Sequence, residues 1–217
     1  MTPHTDPRPA ARLTPWLPLV LTSCAAALQA LASCHAASLD VQVTGSDGKP
    51  LAETVVFLES PEARAATRPM SGVDVAQSMR RFTPRLTVVT VHTAVMFPNM
   101  DSVAHNVYSY SSAKTFELKL YKGKPANPVL FDRPGVVVLG CNIHDQMIAW
   151  VLVVETPHFA VVDASGRARF ADVPAGNYRL RSWHTALPVG AAALEQSLTL
   201  GSGAATAAVK MPLTAGS

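Results

Sequence analysis

Gly140-Cys141-Asn142-Ile143-His144-Asp145-Gln146-Met147 sets a thiolate, an imidazole and a thioether three residues apart, and His105-Asn106 offers a second imidazole on a separate β-like segment. Two His and one Cys in a trigonal plane, with a long axial Met, is the ligand set of a mononuclear blue-copper electron-transfer centre. Soft sulfur selects copper over the hard cations, and the mixed sulfur and nitrogen set suits cycling between Cu(I) and Cu(II). The candidate metal ligands are therefore His105, Cys141, His144 and Met147. The chemistry to which they point is electron transfer, with no substrate turnover and no enzymatic activity.

The cysteine count bears on the same conclusion. The chain has three Cys, and Cys24 and Cys34 lie in or beside an apolar run, Leu17 to Ala32, that follows the basic Arg8 and Arg12. That run reads as the apolar part of an export signal, too short and wrongly flanked for a membrane-spanning helix. Its removal leaves Cys141 as a lone thiol in an oxidising compartment, a liability that metal ligation would remove. Two processing routes stay open. Cys34-His35-Ala36 fits cleavage after Ala36, giving residues 1–36 as a signal peptide and a soluble periplasmic protein. Leu31-Ala32-Ser33-Cys34 resembles a lipobox, giving a signal over 1–33 and a lipid anchor at Cys34; Leu21-Thr22-Ser23-Cys24 is a second, worse-placed match.

The remaining chain must position these ligands, and its pattern is all-β. Charged residues make up 15% and the formal net charge is +3, too weak a balance to argue for nucleic acid or a membrane surface. No sustained helical periodicity follows residue 37. Short strands alternate with turns instead. Leu39–Thr44 leads through Gly45-Ser46-Asp47-Gly48-Lys49-Pro50, read as a hairpin signal, to Thr54–Leu58. Residues 60–72 read as a connector. Strands are expected at Val73–Ala76, Leu86–Val91, Ala94–Phe97, Asn106–Ser109, Lys114–Tyr121, Gly135–Leu139 and Trp150–Glu155. After Pro157 they resume at Phe159–Val162, Arg167–Phe170, Tyr178–Trp183, Leu194–Leu200 and Ala205–Met211.

Cys141 should emerge from the end of the buried strand Val136–Leu139, and the short loop after it can return His144 and Met147 to the same ion. Asn106 is expected to support the ligands, its backbone or side chain donating toward the Cys141 sulfur and stiffening the loop. Pro98 and Asn99 should shape the segment that presents His105.

Phe97-Pro98-Asn99-Met100-Asp101, the His105-Asn106 pair and the Cys-x-x-His-x-x-Met loop resemble the cupredoxins, and the loop spacing is most similar to amicyanin. Phe82-Thr83-Pro84 before a valine-rich strand resembles the corresponding cupredoxin segment, and the whole is similar to bacterial periplasmic proteins of the methylamine-utilisation or plastocyanin-like type. One departure is His92-Thr93, where many cupredoxins have Gly-Thr; a side chain there would strain or reshape the turn. Val41–Leu58, and Asp163–Phe170 followed by Asp172-Val173-Pro174-Ala175-Gly176-Asn177-Tyr178, resemble the two halves of a carboxypeptidase-regulatory-like (transthyretin-like) β-sandwich. The resemblances imply a cupredoxin Greek-key β-sandwich over 61–157, inserted into or packed with a discontinuous sandwich of 38–60 and 158–213. The rival is one enlarged sandwich. By the cupredoxin resemblance, His144 is the edge where electrons enter, and redox partner proteins dock on an apolar patch for which Ile143, Ile148 and Pro98 are candidates.

Other readings of the same residues stay open. One Cys and two His can hold zinc with an open position for water. The same ligands can serve a copper carrier or buffer of the cell envelope, or a structural metal in an adhesion or scaffold module. His92, His158 and His184 read as structural or solvent-exposed, Met70, Met79, Met96 and Met100 as packing residues, Asp145 as a solvated loop charge and Trp183 as core.

Overall fold

A computed structural model of the chain describes Met1 and residues 36–215. The expected signal peptide and both lipobox cysteines lie outside the described residues, apart from Met1 and Ala36.

In chain order the elements are β1 (Ala36–Thr44), β2 (Thr54–Glu59), α1 (Pro61–Ala66), β3 (Val73–Asp74), β4 (Ala76–Ser78), β5 (Arg81–Thr83), β6 (Leu86–Thr90), β7 (Thr93–Met96) and β8 (His105–Ser111). They continue with β9 (Lys114–Tyr121), β10 (Val129–Phe131), β11 (Gly135–Leu139), β12 (Ala149–Val154), β13 (Phe159–Val161), β14 (Arg167–Pro174), β15 (Gly176–His184), β16 (Leu194–Leu200) and β17 (Ala204–Lys210). The protein is an all-β sandwich fold, with sheets ordered β14-β1-β17, β13-β2-β15-β16, β10-β7-β3 and β11-β12-β6, and the pairs β4-β5 and β8-β9.

Three apolar clusters explain why several strands read as continuous hydrophobic runs. The first, drawn from 37–63 and 162–211, includes Val56, Leu58, Tyr178 and Leu180. A second, drawn from 75–153, includes Val137, Leu139, Cys141, Met147, Ala149, Val151 and Val153. The third joins Val55, Phe57 and Trp183 to Val88, Leu152 and Val154. Successive side chains on a strand point to opposite faces, so Val55 and Phe57 enter one cluster while Val56 and Leu58 enter another. β2 and β12 are thus covered on both sides, which removes the polar half of the usual alternation.

Three features depart from expectation, and His92 follows it. The Asp47-Gly48 turn closes only a short antiparallel bridge, Thr44 with Pro50, and does not pair β1 with β2: β1 pairs with β14 and β17, and β2 with β13 and β15. Gly48 has φ +77, so the turn chemistry was read correctly, but the chain uses it to cross between sheets. The 60–72 connector contains α1, whose Ser60 side chain accepts from the Ala63 N–H with Pro61 in the first turn. Six residues are too few to display a helical period, although the cap and the proline mark the start. The three-residue strands β5 and β10 are likewise too short to alternate visibly. His92 sits at φ +66, so a β-carbon occupies the left-handed position that favours glycine, and its N–H donates to Phe131 O at 2.7 Å.

Candidate metal centre

The hairpin β11–β12 presents the sulfur ligands. Val137 and Leu139 face the second cluster, and Cys141, two residues on, keeps to that face; Ala149, Val151 and Val153 do the same on β12, and Met147 precedes them in phase. Leu139 pairs with Ala149. Continuing that register by two residues on each strand sets Cys141 opposite Met147, with His144 at the apex between them. The apex is closed by a Met147 N–H to His144 O bond of 2.9 Å. Cys141 and Met147 are buried, and His144 is partly exposed.

Gly140 is needed where the loop begins. It exchanges two backbone bonds with Tyr108, at 3.0 and 2.9 Å, and a β-carbon at 140 would stand 2.7 Å from the Tyr108 ring. The absent side chain makes room for the Tyr108 ring over residue 140, and the paired backbone bonds bring β8, with His105 at its start, to the cysteine. A bulge between His105 and Val107 permits His105, Asn106 and Val107 to be buried in succession, since a bulge breaks the alternation and re-aims side chains.

The donors converge. His105 Nδ1 lies 4.0 Å from Cys141 Sγ and 3.2 Å from His144 Nδ1, and the three ligand atoms lie within 4.8 Å of one another. Metal bonds of about 2.0–2.3 Å spread around a trigonal plane set donors about 3.5–4 Å apart. Among the described residues this is the one cluster of three or more His, Cys, Asp or Glu side chains so disposed. The donor set fits copper: His105, Cys141 and His144 would hold it, with Met147 as the further sulfur.

Asp101 is a member that sequence reasoning missed. Its Oδ2 lies 2.8 Å from His105 Nε2, and because a carboxylate can only accept, the proton resides on Nε2. Nδ1 therefore turns a lone pair toward Cys141 and His144, the state a metal requires. The Met79 N–H donates to Asp101 Oδ1 at 2.7 Å and the Arg80 N–H to Oδ2 at 2.9 Å. The Arg80 N–H foremost, with His105 and the Met79 N–H, holds the Asp101 carboxyl below the usual carboxylate range. Met79 and Arg80 form the two-residue turn between β4 and β5, with φ +51 and +55, the pattern of a type I′ hairpin turn that glycine and asparagine ordinarily fill. A carboxylate four residues before a histidine was the signal available in the sequence; its significance depends on that distant turn.

Asn99 fixes the loop between. Its Oδ1 accepts the Asp101 N–H, and its Nδ2 donates to Val103 O and Tyr121 O, each at 2.9 Å. Tyr121 donates to Phe97 O and accepts from Gln77 Nε2, and burial pushes its phenol up to about 12. Asn106 acts otherwise than expected: its Oδ1 accepts the Asn142 N–H at 2.8 Å, so the side chain bonds to the loop backbone beside the cysteine instead of donating to the sulfur.

The residues set aside in the sequence divide. Trp183 is core, Asp145 is an exposed loop charge, and His184 is buried with its Nδ1 accepting the Ala186 N–H at 2.9 Å. The packing role expected for the methionines fails for three: Met70 is exposed, and Met79 and Met100 are 83% and 71% exposed. Met79 sits in a tight turn, at φ +51.

No family model matches the chain, and no curated protein does. Among solved structures the chain is similar to a novel purple cupredoxin from Nitrosopumilus maritimus, at 21% identity over 38% of this chain and 100% of that one, with a TM-score of 0.34. It is also similar to amicyanin variants: a reduced Cu(I) form at pH 4, at 20% identity, and an oxidised form, at 19%. Each covers 46% of this chain and 98% of the other, with a TM-score of 0.36.

Proposed function

We propose that the protein is an exported type 1 copper protein that binds one copper ion and passes single electrons between partner proteins. The observation that carries this reading is the convergence of the His105, Cys141 and His144 donor atoms within 4.8 Å, with Met147 buried in the same apolar cluster as Cys141. Copper held there supplies one-electron chemistry between Cu(I) and Cu(II). The chain's residues supply the rest: Asp101 orients His105, the Asn106 side chain and the Tyr108–Gly140 bridge hold the loop, and the second apolar cluster keeps water from the sulfur. A centre clamped this way reorganises little on electron transfer. His144 is the accessible imidazole, between exposed Ile143 and Ile148, and is the edge at which a partner would dock.

In this reading residues 61–157 are the copper-carrying part, while 38–60 and 158–213 form the sandwich that bears it; the separate first and second apolar clusters support that division. Periplasmic location, soluble or anchored at Cys34, follows from the apolar N-terminal run and the lone mature thiol.

The test is a visible and EPR spectrum of the protein with one equivalent of Cu(II), beside Cys141→Ser. An intense thiolate-to-copper band with narrow copper hyperfine splitting, absent from the variant, is expected. A colourless sample, or a weak band indifferent to Cys141, would move the reading to zinc or to a structural sandwich.

A further inference from the structure

The segments that hold His105 also build a surface on its Nε2 side, whereas His144 lies on its Nδ1 side. Met79 and Met100 stand 83% and 71% exposed there, and Val103 is exposed beside them. The backbone brings them together: the Met79 N–H donates to Asp101, the Met100 N–H donates to Gln77 O at 2.8 Å, and Met79, Arg80, Asp101, Ser102 and Val103 line one shallow depression. Apolar thioethers in water gain nothing for the isolated fold, and flexible methionines are a common means of fitting a partner's contours.

The rim is cationic. Arg80 is one half of the turn, and Lys122 and Lys124 follow Tyr121 on a segment tied in by the Asn99 N–H to Gly123 O bond of 2.8 Å. Among the described residues, Arg80, Lys122 and Lys124 form no ion pair, whereas Arg179 and Arg181 are held by Glu59 and Glu195. The nearest carboxylate, Asp101, is committed to three N–H donors. Exposed acids stand on neighbouring segments, Asp74 before β4 and Asp145 in the ligand loop.

The geometry points to a second docking face, apolar at its centre and cationic at its rim, for a partner protein with an acidic surface. An apolar middle within a charged rim is the usual anatomy of a specific interface, and unpaired cations at the rim speed the encounter with an acidic partner. The face is distinct from the His144 edge, so two partners need not compete for one surface. The chain from the Met79 N–H through Asp101 to His105 Nε2 is a short hydrogen-bonded link from it to the ligands. Its role in redox traffic rests on the copper reading; the surface itself does not require metal.

The experiment therefore uses the metal-free full chain. Amide NMR signals are followed during titration with poly-L-glutamate and, separately, with hexacyanochromate(III), whose paramagnetism broadens nearby signals. Shifts and broadening concentrated on Met79, Arg80, Val103, Lys122 and Lys124 are expected, and they should fade with added salt. Lys122→Glu with Lys124→Glu should weaken poly-L-glutamate binding by about tenfold or more, and Met100→Gln should weaken it further while leaving the copper spectrum unchanged. Perturbation centred on Ile143 and Ile148, perturbation spread evenly over the lysines, or variants that bind as the parent does would overturn the proposal. So would a preference for vesicles of anionic lipid over poly-L-glutamate. Absence of a blue band from the copper-loaded parent, by contrast, would count against the copper reading alone.

Discussion

Replacing Asp101 by Asn keeps the side chain's shape and removes one acceptor atom. The carboxylate now receives three N–H groups, from Met79 at 2.7 Å, Arg80 at 2.9 Å and His105 Nε2 at 2.8 Å. An amide has one oxygen and one NH2, so in either orientation a donor meets a donor. With oxygen toward Arg80 and His105, the NH2 opposes the Met79 N–H. With oxygen toward Met79, it opposes Arg80 and His105, and the imidazole is relieved only by moving its proton to Nδ1, the atom that must bind metal. Hydrogen bonds to a charged group contribute about 1.5–3 kcal/mol each; partial exposure of this carboxylate and the surviving bonds bring the expected loss for the copper-free protein to about 1–2 kcal/mol. In a domain of this size each kcal/mol moves the melting temperature by about 2–4 °C. Copper affinity should fall about 10- to 100-fold, the usual consequence of losing the partner that orients a ligand histidine. Thermal melts of the copper-free protein and competition for Cu(I) against a chelator of known affinity read the two effects. An affinity within twofold of the parent, with an unchanged melt, would refute the idea that the carboxylate sets the His105 tautomer.

Three further outcomes are expected. Gly140→Ala places a carbon 2.7 Å from the Tyr108 ring, so the melt should show a loss of about 1–3 kcal/mol and the Cys141 loop should bind copper more weakly; an unperturbed melt would mean the ring gives way freely. Met147→Leu nearly conserves volume at a buried position and should cost less than about 1.5 kcal/mol while raising the reduction potential, because a thioether no longer supports the ion; an unchanged potential by voltammetry would remove Met147 from the ligand set. Burial foremost depresses the pKa of His184 below 6.5 in the folded state, and burial does the same to His158. The unfolded chain then binds more protons as pH falls below 6.5, so stability is full above that value and lost toward the lower folded pKa. His184→Asn should flatten the pH dependence of the melt between 7 and 5, and an identical slope would exclude the histidine as its source.

Much of the centre was legible because its logic is local. The strand-to-loop alternation Val137, Leu139, Cys141 needs only the two-residue period of a strand, and the equal steps from Cys141 to His144 to Met147 space the candidate ligands along one hairpin loop. Class could be read for the same reason: alternating runs broken by Gly, Pro and Asp steps report strands whatever those strands pair with. Where pairing itself decided the outcome, the pattern was silent. The Asp47-Gly48 turn has hairpin chemistry, yet it links strands of different sheets, because turn dihedrals do not specify which neighbour a strand acquires.

The sequence by itself determined the candidate ligand types, their spacing on the Cys141–Met147 loop and the strands that flank it, since residue identity and a two-residue period carry that information. Tertiary structure alone decided that Asp101 orients His105, that Asn106 bonds to the loop backbone, and that Met79 and Met100 face water. Each of these depends on backbone N–H groups or surfaces contributed by segments distant in sequence. Such contacts follow from how β4, β5, β8 and the ligand loop pack against one another, and no pattern within any one of them encodes that.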